Sequence, residues 1–90
     1  MKSINKVEYR FLIKFLTTQR QLKGLTQNQL SMLVGKPQSF ISKVESCERR
    51  LDVIEYLEIC FLLNVEFSIV MNILKEASLY GHKKSHKSSN

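Results

Sequence analysis

From residue 38 to residue 47 the chain reads QSFISKVESC. If that stretch is helical, Ser39, Ser42, Lys43 and Ser46 gather on one side, with Gln38 near its exposed start. An amide, several hydroxyls and one ammonium make a face for hydrogen bonding to a polar partner. A merely solvated helix would carry Glu–Lys pairs there instead. Other chemistry is poorly supplied. Cys47 and Cys60 lack the spacing of a metal or redox pair, and no histidine lies near either. Cys60, inside LEICFLL, reads as a small core residue. His82 and His86 are four apart but stand among Lys and Ser in GHKKSHKSSN, so no metal site is expected. There is no phosphate-cradling Gly-rich loop, no nucleophile triad and no carboxylate pair suited to a pocket. Neither an enzyme nor a cofactor is expected.

The polar face needs elements to hold it. Residues 7–22 predict a first helix, with Val7, Phe11, Leu12, Phe15 and Leu16 gathered on an inward face. Gly24 supplies a left-handed stop. Thr26 suits an N-cap, and Gln29 three residues on completes a capping box. The second helix then runs to about Val34 with Leu30, Leu33 and Val34 inward, too short to stand without packing. Gly35 ends it, and Pro37 keeps Lys36 out of the helical region. A third helix opens near Gln38, anchored by Ile41 and Val44. Asp52 and Glu55 form a second capping box, and Leu51 can staple onto Tyr56. That fourth helix reaches about Leu63, with Asn64 as a left-handed stop, and a fifth spans about Phe67 to Leu79.

Ninety residues suffice for one small domain, and the pattern predicts an all-α fold of five helices. It is assigned to residues 1–79, with 80–90 as a basic, disordered tail. No apolar run approaches the roughly 20 residues of a membrane span, and MKSINKVEYR lacks the apolar core of a signal peptide. A cytoplasmic protein is expected. The net charge of +6 is unevenly placed. Residues 1–50 hold ten Lys and Arg against three acids, whereas residues 51–74 hold four acids and no Lys or Arg. A basic front of this kind suits a polyanion.

Two short helices joined at Gly35, with small Ser31 where they cross, make a helix-turn-helix over residues 27–46. Breaking one helix in two lets the second piece project into a major groove while the first lies across the backbone. Here the sequence resembles the lambda-repressor-like (Cro/Xre) helix-turn-helix DNA-binding domains of bacteria and their phages. The likeness runs over residues 12–69. It rests on Leu16, Arg20, Gly24-Leu25-Thr26-Gln27, Leu30, Gly35, Gln38-Ser39, Ile41-Ser42-Lys43, Glu45, Glu48-Arg49 and Leu51-Asp52-Val53.

The resemblance implies double-stranded DNA as the partner and assigns roles. Thr26 and Gln27 open the second helix, where family members hold a phosphate at the helix N-terminus. Gln38 occupies the position that contacts a base edge, and its amide matches adenine N6/N7. Ser39, Ser42 and Lys43 share the groove-facing side. Phe40 beside them has two readings, contact with a thymine methyl or cover for the domain's edge. Lys36, Arg49 and Arg50 bracket the helix as backbone contacts. Arg20 and Glu45 match positions that pair beneath it and fix its angle. Cys47 departs from the family by replacing a loop glycine, where a left-handed backbone would be strained.

The fifth helix carries two apolar stripes where a lone amphipathic helix needs one. Phe67, Val70, Met71, Leu74 and Ala77 lie on one; Ile69, Ile73 and Tyr80 form the other and are assigned to a homodimer interface. The expected function is a dimeric repressor. The alternatives are the antitoxin of a toxin–antitoxin pair with a protein toxin as partner, a restriction–modification controller, and an interaction module that has lost DNA binding.

Overall fold

A computed structural model describes residues 6–66 and 68–76 of the chain. Its helices are α1 (Val7–Leu22), α2 (Gln27–Leu33), α3 (Phe40–Glu45) and α4 (Val53–Leu62), followed by α5 (68–76). Among the described residues there is no strand. The tail, Tyr80, His82 and His86 lie outside the described residues.

The caps follow the local chemistry. Thr26 accepts a hydrogen bond from the Gln29 amide while the Gln29 side chain accepts from the Thr26 amide. Asp52 and Glu55 reciprocate in the same way at the start of α4. Each closes two amides that would otherwise be left unpaired.

Helices α1 to α4 all stop alike. After α2, the Lys36 amide donates to the Ser31 carbonyl and the Gly35 amide to the Met32 carbonyl. This is the Schellman arrangement, which needs a left-handed residue after the C-cap. Gly24, Gly35, Cys47 and Asn64 hold that position with φ of 75, 71, 65 and 57°. Cys47 therefore carries the strain expected of a non-glycine residue there.

The core joins Ile13 and Leu16 of α1 to Leu30, Phe40, Ile41 and Val44, closed by Leu51, Ile59, Cys60, Leu63 and Val70. Two expectations for facing are corrected. Val7 and Phe11 are exposed and Ile13 is buried instead. The inward stripe of α1 is thus Tyr9, Leu12, Ile13, Phe15, Leu16 and Arg20, which keeps Leu12, Phe15 and Leu16 of the expected set. Leu33 is likewise exposed, because α2 ends at that residue and the chain turns away.

The crossing of α2 and α3 is tight and polar. Ser31 is fully buried; its hydroxyl donates to the Gln27 carbonyl at 2.9 Å and accepts the Ile41 amide at 3.0 Å. A larger residue would hold the helices apart, and an apolar one would leave the Ile41 amide unpaired. Sequence pattern explains the small side chain but not this bond. Regular α3 also starts later than expected. Gln38 and Ser39 form a turn closed by the Phe40 amide on the Pro37 carbonyl at 2.9 Å.

Candidate nucleic-acid interface

Under α3 lies a buried polar network. The Arg20 guanidinium grips Glu45 through two bonds, Nε to Oε2 at 2.7 Å and Nη2 to Oε1 at 3.0 Å. Its Nη1 donates to the Leu25 carbonyl at 2.7 Å. The Gln27 amide nitrogen donates to Glu45 Oε1 at 2.8 Å. The Glu45 carboxylate ties the end of α3 to α1 and to the start of α2, and Arg20 extends the network to the α1–α2 turn. Such a charge-assisted fork fixes direction as well as distance. The pairing expected for Arg20 and Glu45 is present, and Gln27 joins it.

A second charged cluster holds the other side of α3. Glu55 accepts from Arg49 at 2.9 and 3.0 Å and lies 3.2 Å from the Lys36 ammonium. Phe40 packs beneath the same cations, with the Arg49 guanidinium 4.8 Å and the Lys36 ammonium 5.5 Å from its ring centre. Arg49 also donates to the Arg50 carbonyl at 2.7 Å. Hydrogen bonding by Arg49 outweighs the cost of burial and holds the Glu55 carboxyl down at about 2.

This cluster decides the reading of Phe40. Its side chain is buried in the core beneath these cations, an arrangement that favours cover for the domain's edge over contact with a thymine methyl. Lys36 and Arg49 are first of all clamps across the ends of α3, although their side chains are still 35% and 42% exposed. Arg50 is exposed, its guanidinium 4.9 Å from the Tyr9 ring centre. The Thr26 hydroxyl accepts the Gln29 amide as the helix cap, which leaves its O–H free to donate outward.

The remaining residues form the outward surface. Gln38, Ser39, Lys43 and Ser46 are exposed and Ser42 is half-buried. The Ser42 hydroxyl donates to the Ser39 carbonyl at 3.0 Å, and Ser46 leans on Glu48 at 3.0 Å. The side chains of Gln38 and Lys43 have no partner among the described residues, so their donors and acceptors face outward. Beside them runs a groove of about 640 Å³ between α1 and α3. Arg10, Lys14 and Thr17 of α1 line one wall, and Ser42 and Ser46 line the other. Arg10 and Lys14 were not singled out by the sequence pattern. Their spacing of four residues on one face of α1 was the available signal.

Cys47 is half-buried at the groove, and Cys60 is buried, its thiol pushed above its ordinary range by burial. Both are free. Among the described residues no cluster of three or more His, Cys, Asp or Glu is placed to hold a metal ion. Nor is any helix among them long and apolar enough to cross a membrane.

Residues 16–70 match the helix-turn-helix family. Among solved structures the chain is similar to an XRE-family like protein from Pseudomonas syringae pv. tomato str. DC3000. The two share 37% sequence identity, with 83% of this chain and 94% of that one covered and a TM-score of 0.71. No curated protein matches. The chain belongs to the Xre-like helix-turn-helix family of DNA-binding regulators.

Proposed function

We propose that this chain is a cytoplasmic, sequence-specific repressor that binds double-stranded DNA as a homodimer, with Gln38 as its principal base reader. One observation carries the reading. Around α3 the buried ionic groups are spent on holding the helix, while Gln38 and Lys43 on its outer side are spent on nothing. An amide that donates and accepts side by side suits adenine, and Lys43 suits guanine or phosphate. Ser39 and Ser42 take phosphate or base edges, and Gln27 at the start of α2 takes phosphate. Lys36, Arg49 and Arg50 add positive potential at the flanks.

A twofold dimer would set two copies of α3 one helical turn apart on an inverted repeat. Exposure of Ile69 on α5 supports that surface, and Ile73 stands half-buried beside it. The test is selection on randomised duplex DNA by the purified chain, run in parallel with Gln38→Ala. Enrichment of an inverted repeat with half-sites one turn apart is expected. The variant should lose about 1–3 kcal/mol and its preference at one base pair of each half-site. Equal weakening on every sequence would remove Gln38 as a base reader. Salt-sensitive binding without enrichment would leave a backbone binder in place of a repressor.

A further inference from the structure

Helix α4 is apolar on two sides. Its inward stripe, Tyr56, Ile59, Cys60 and Leu63, packs into the core. Its outward stripe is Val53, Ile54, Leu57 and Phe61, which are 71, 63, 43 and 83% exposed. A surface helix needs only one apolar stripe, and a helix apolar all round is normally covered all round. Leu33 and Val34 at the end of α2 complete a groove of about 390 Å³ with Ile54, Leu57, Glu58 and Phe61. Met32 next to Leu33 is 72% exposed and extends the apolar surface. Single exposed hydrophobic residues are ordinary on a protein; a contiguous set on two neighbouring elements marks a contact surface.

Charge selects the occupant. Glu58 lies in the groove wall, and residues 51–74 contain Asp52, Glu55, Glu58 and Glu66 with no Lys or Arg. Glu55 is committed to Arg49 and Lys36, whereas Glu58 is exposed. Two copies docking α4 against α4 about a twofold axis near Leu57 would bring the two Glu58 carboxylates together. No cation between residues 51 and 74 would relieve them, and such like-charge placement opposes docking. A partner with cations beside its apolar anchors meets no such penalty.

We infer that the α2–α4 groove docks an amphipathic helix of another protein, with apolar residues spaced i, i+3 or i+4, i+7 and Lys or Arg on its flank facing Glu58. The stripe from Ile54 to Phe61 is about 10 Å long at the helical rise, so two to three turns of the partner fill it. None of the groove residues belongs to the DNA-facing set, so the inference does not rest on the DNA reading. The partner and the duplex have separate surfaces.

The test uses the full chain, ¹⁵N-labelled, and two synthetic helical peptides with the same leucine face, one flanked by lysines and one by glutamates. The chain as a whole is +6, so overall charge favours the glutamate peptide, and the inference demands the reverse. The lysine peptide should shift the amides of Leu33, Ile54, Leu57 and Phe61 and bind at least about tenfold more tightly than the glutamate peptide. Phe61→Ser, at an exposed position, should weaken it about tenfold without altering the circular dichroism or DNA binding. Glu58→Lys should invert the preference. Equal or tighter binding of the glutamate peptide, shifts outside the groove, or no binding at millimolar peptide would overturn the inference. So would sedimentation showing a dimer that Phe61→Ser dissociates, since a second copy would then hold the face.

Discussion

Arg20 is the side chain on which the placement of α3 most depends. It is only 8% exposed and spends its guanidinium on Glu45 and the Leu25 carbonyl. Removing one member of a buried pair leaves the other charged and unsolvated, so Arg20→Ala should cost about 3 kcal/mol or more in urea unfolding. Arg20→Lys should recover little, because an ammonium cannot reproduce the fork. A loss under 1 kcal/mol would show that the network is ornamental. Glu55 makes a different demand, on pH. Its carboxyl moves from 4.5 to about 2 on folding. Between those values the unfolded chain binds the proton and the folded chain does not. The associated stability is therefore complete above pH 4.5 and is lost as pH falls toward 2. Because Arg49 and Lys36 are partly exposed, its size is discounted for screening to about 1–2 kcal/mol. Unfolding measured at pH 5 and pH 2.5 should show Glu55→Gln losing less stability than the parent across that interval. Parallel losses would place the acid sensitivity elsewhere.

At the scale of the helices, the α2–α3 angle hangs on one hydroxyl. Ser31→Ala leaves the buried Ile41 amide without its acceptor and should cost about 1–3 kcal/mol. Met32→Ala, next door and exposed, should change stability by under about 0.5 kcal/mol. Faster hydrogen exchange at the Ile41 amide in Ser31→Ala, but not in Met32→Ala, is the accompanying signature. Elements of this kind were readable where they depend on neighbours in the chain. The bounds of α1, the capping boxes at Thr26 and Asp52, and the left-handed stops at Gly24, Gly35, Cys47 and Asn64 are set within a few residues. Facing was harder. Phe11, Leu12, Ile13, Phe15 and Leu16 make so broad an apolar arc that spacing alone does not rank Ile13 above Phe11. Phe40 stands among polar residues, and only Lys36 and Arg49 folding over its ring reveal it as core. Glu55 read as a cap alone, since its ion partners arrive from two separate loops. The Arg20–Glu45 pair, 25 residues apart, was foreseen through family likeness and not through any local pattern.

Across the whole molecule, charge and apolar surface are segregated. Ten of the Lys and Arg residues fall in the first fifty positions, and the exposed apolar stripe of α4 lies in a stretch with none. A duplex approaching α3 therefore meets Lys43 together with Arg10 and Lys14 across the groove, three exposed cations drawn from two helices. If α1 flanks the phosphate backbone in this way, Arg10 and Lys14 contribute to affinity without contributing to sequence preference. Each phosphate contact released should lower the slope of log K against log salt by about 0.9 per protomer. The double variant Arg10→Ala/Lys14→Ala should thus bind more weakly with a shallower slope, while the selected sequence stays the same. Lys75→Ala, which removes an equal kind of charge from α5, should leave the slope nearly unchanged. Were the double variant to keep its slope, α1 would stand clear of the duplex and the interface would be confined to α2, α3 and the turns beside them. Were it to alter the selected sequence, α1 would be shaping the seat of α3 as well as holding the backbone.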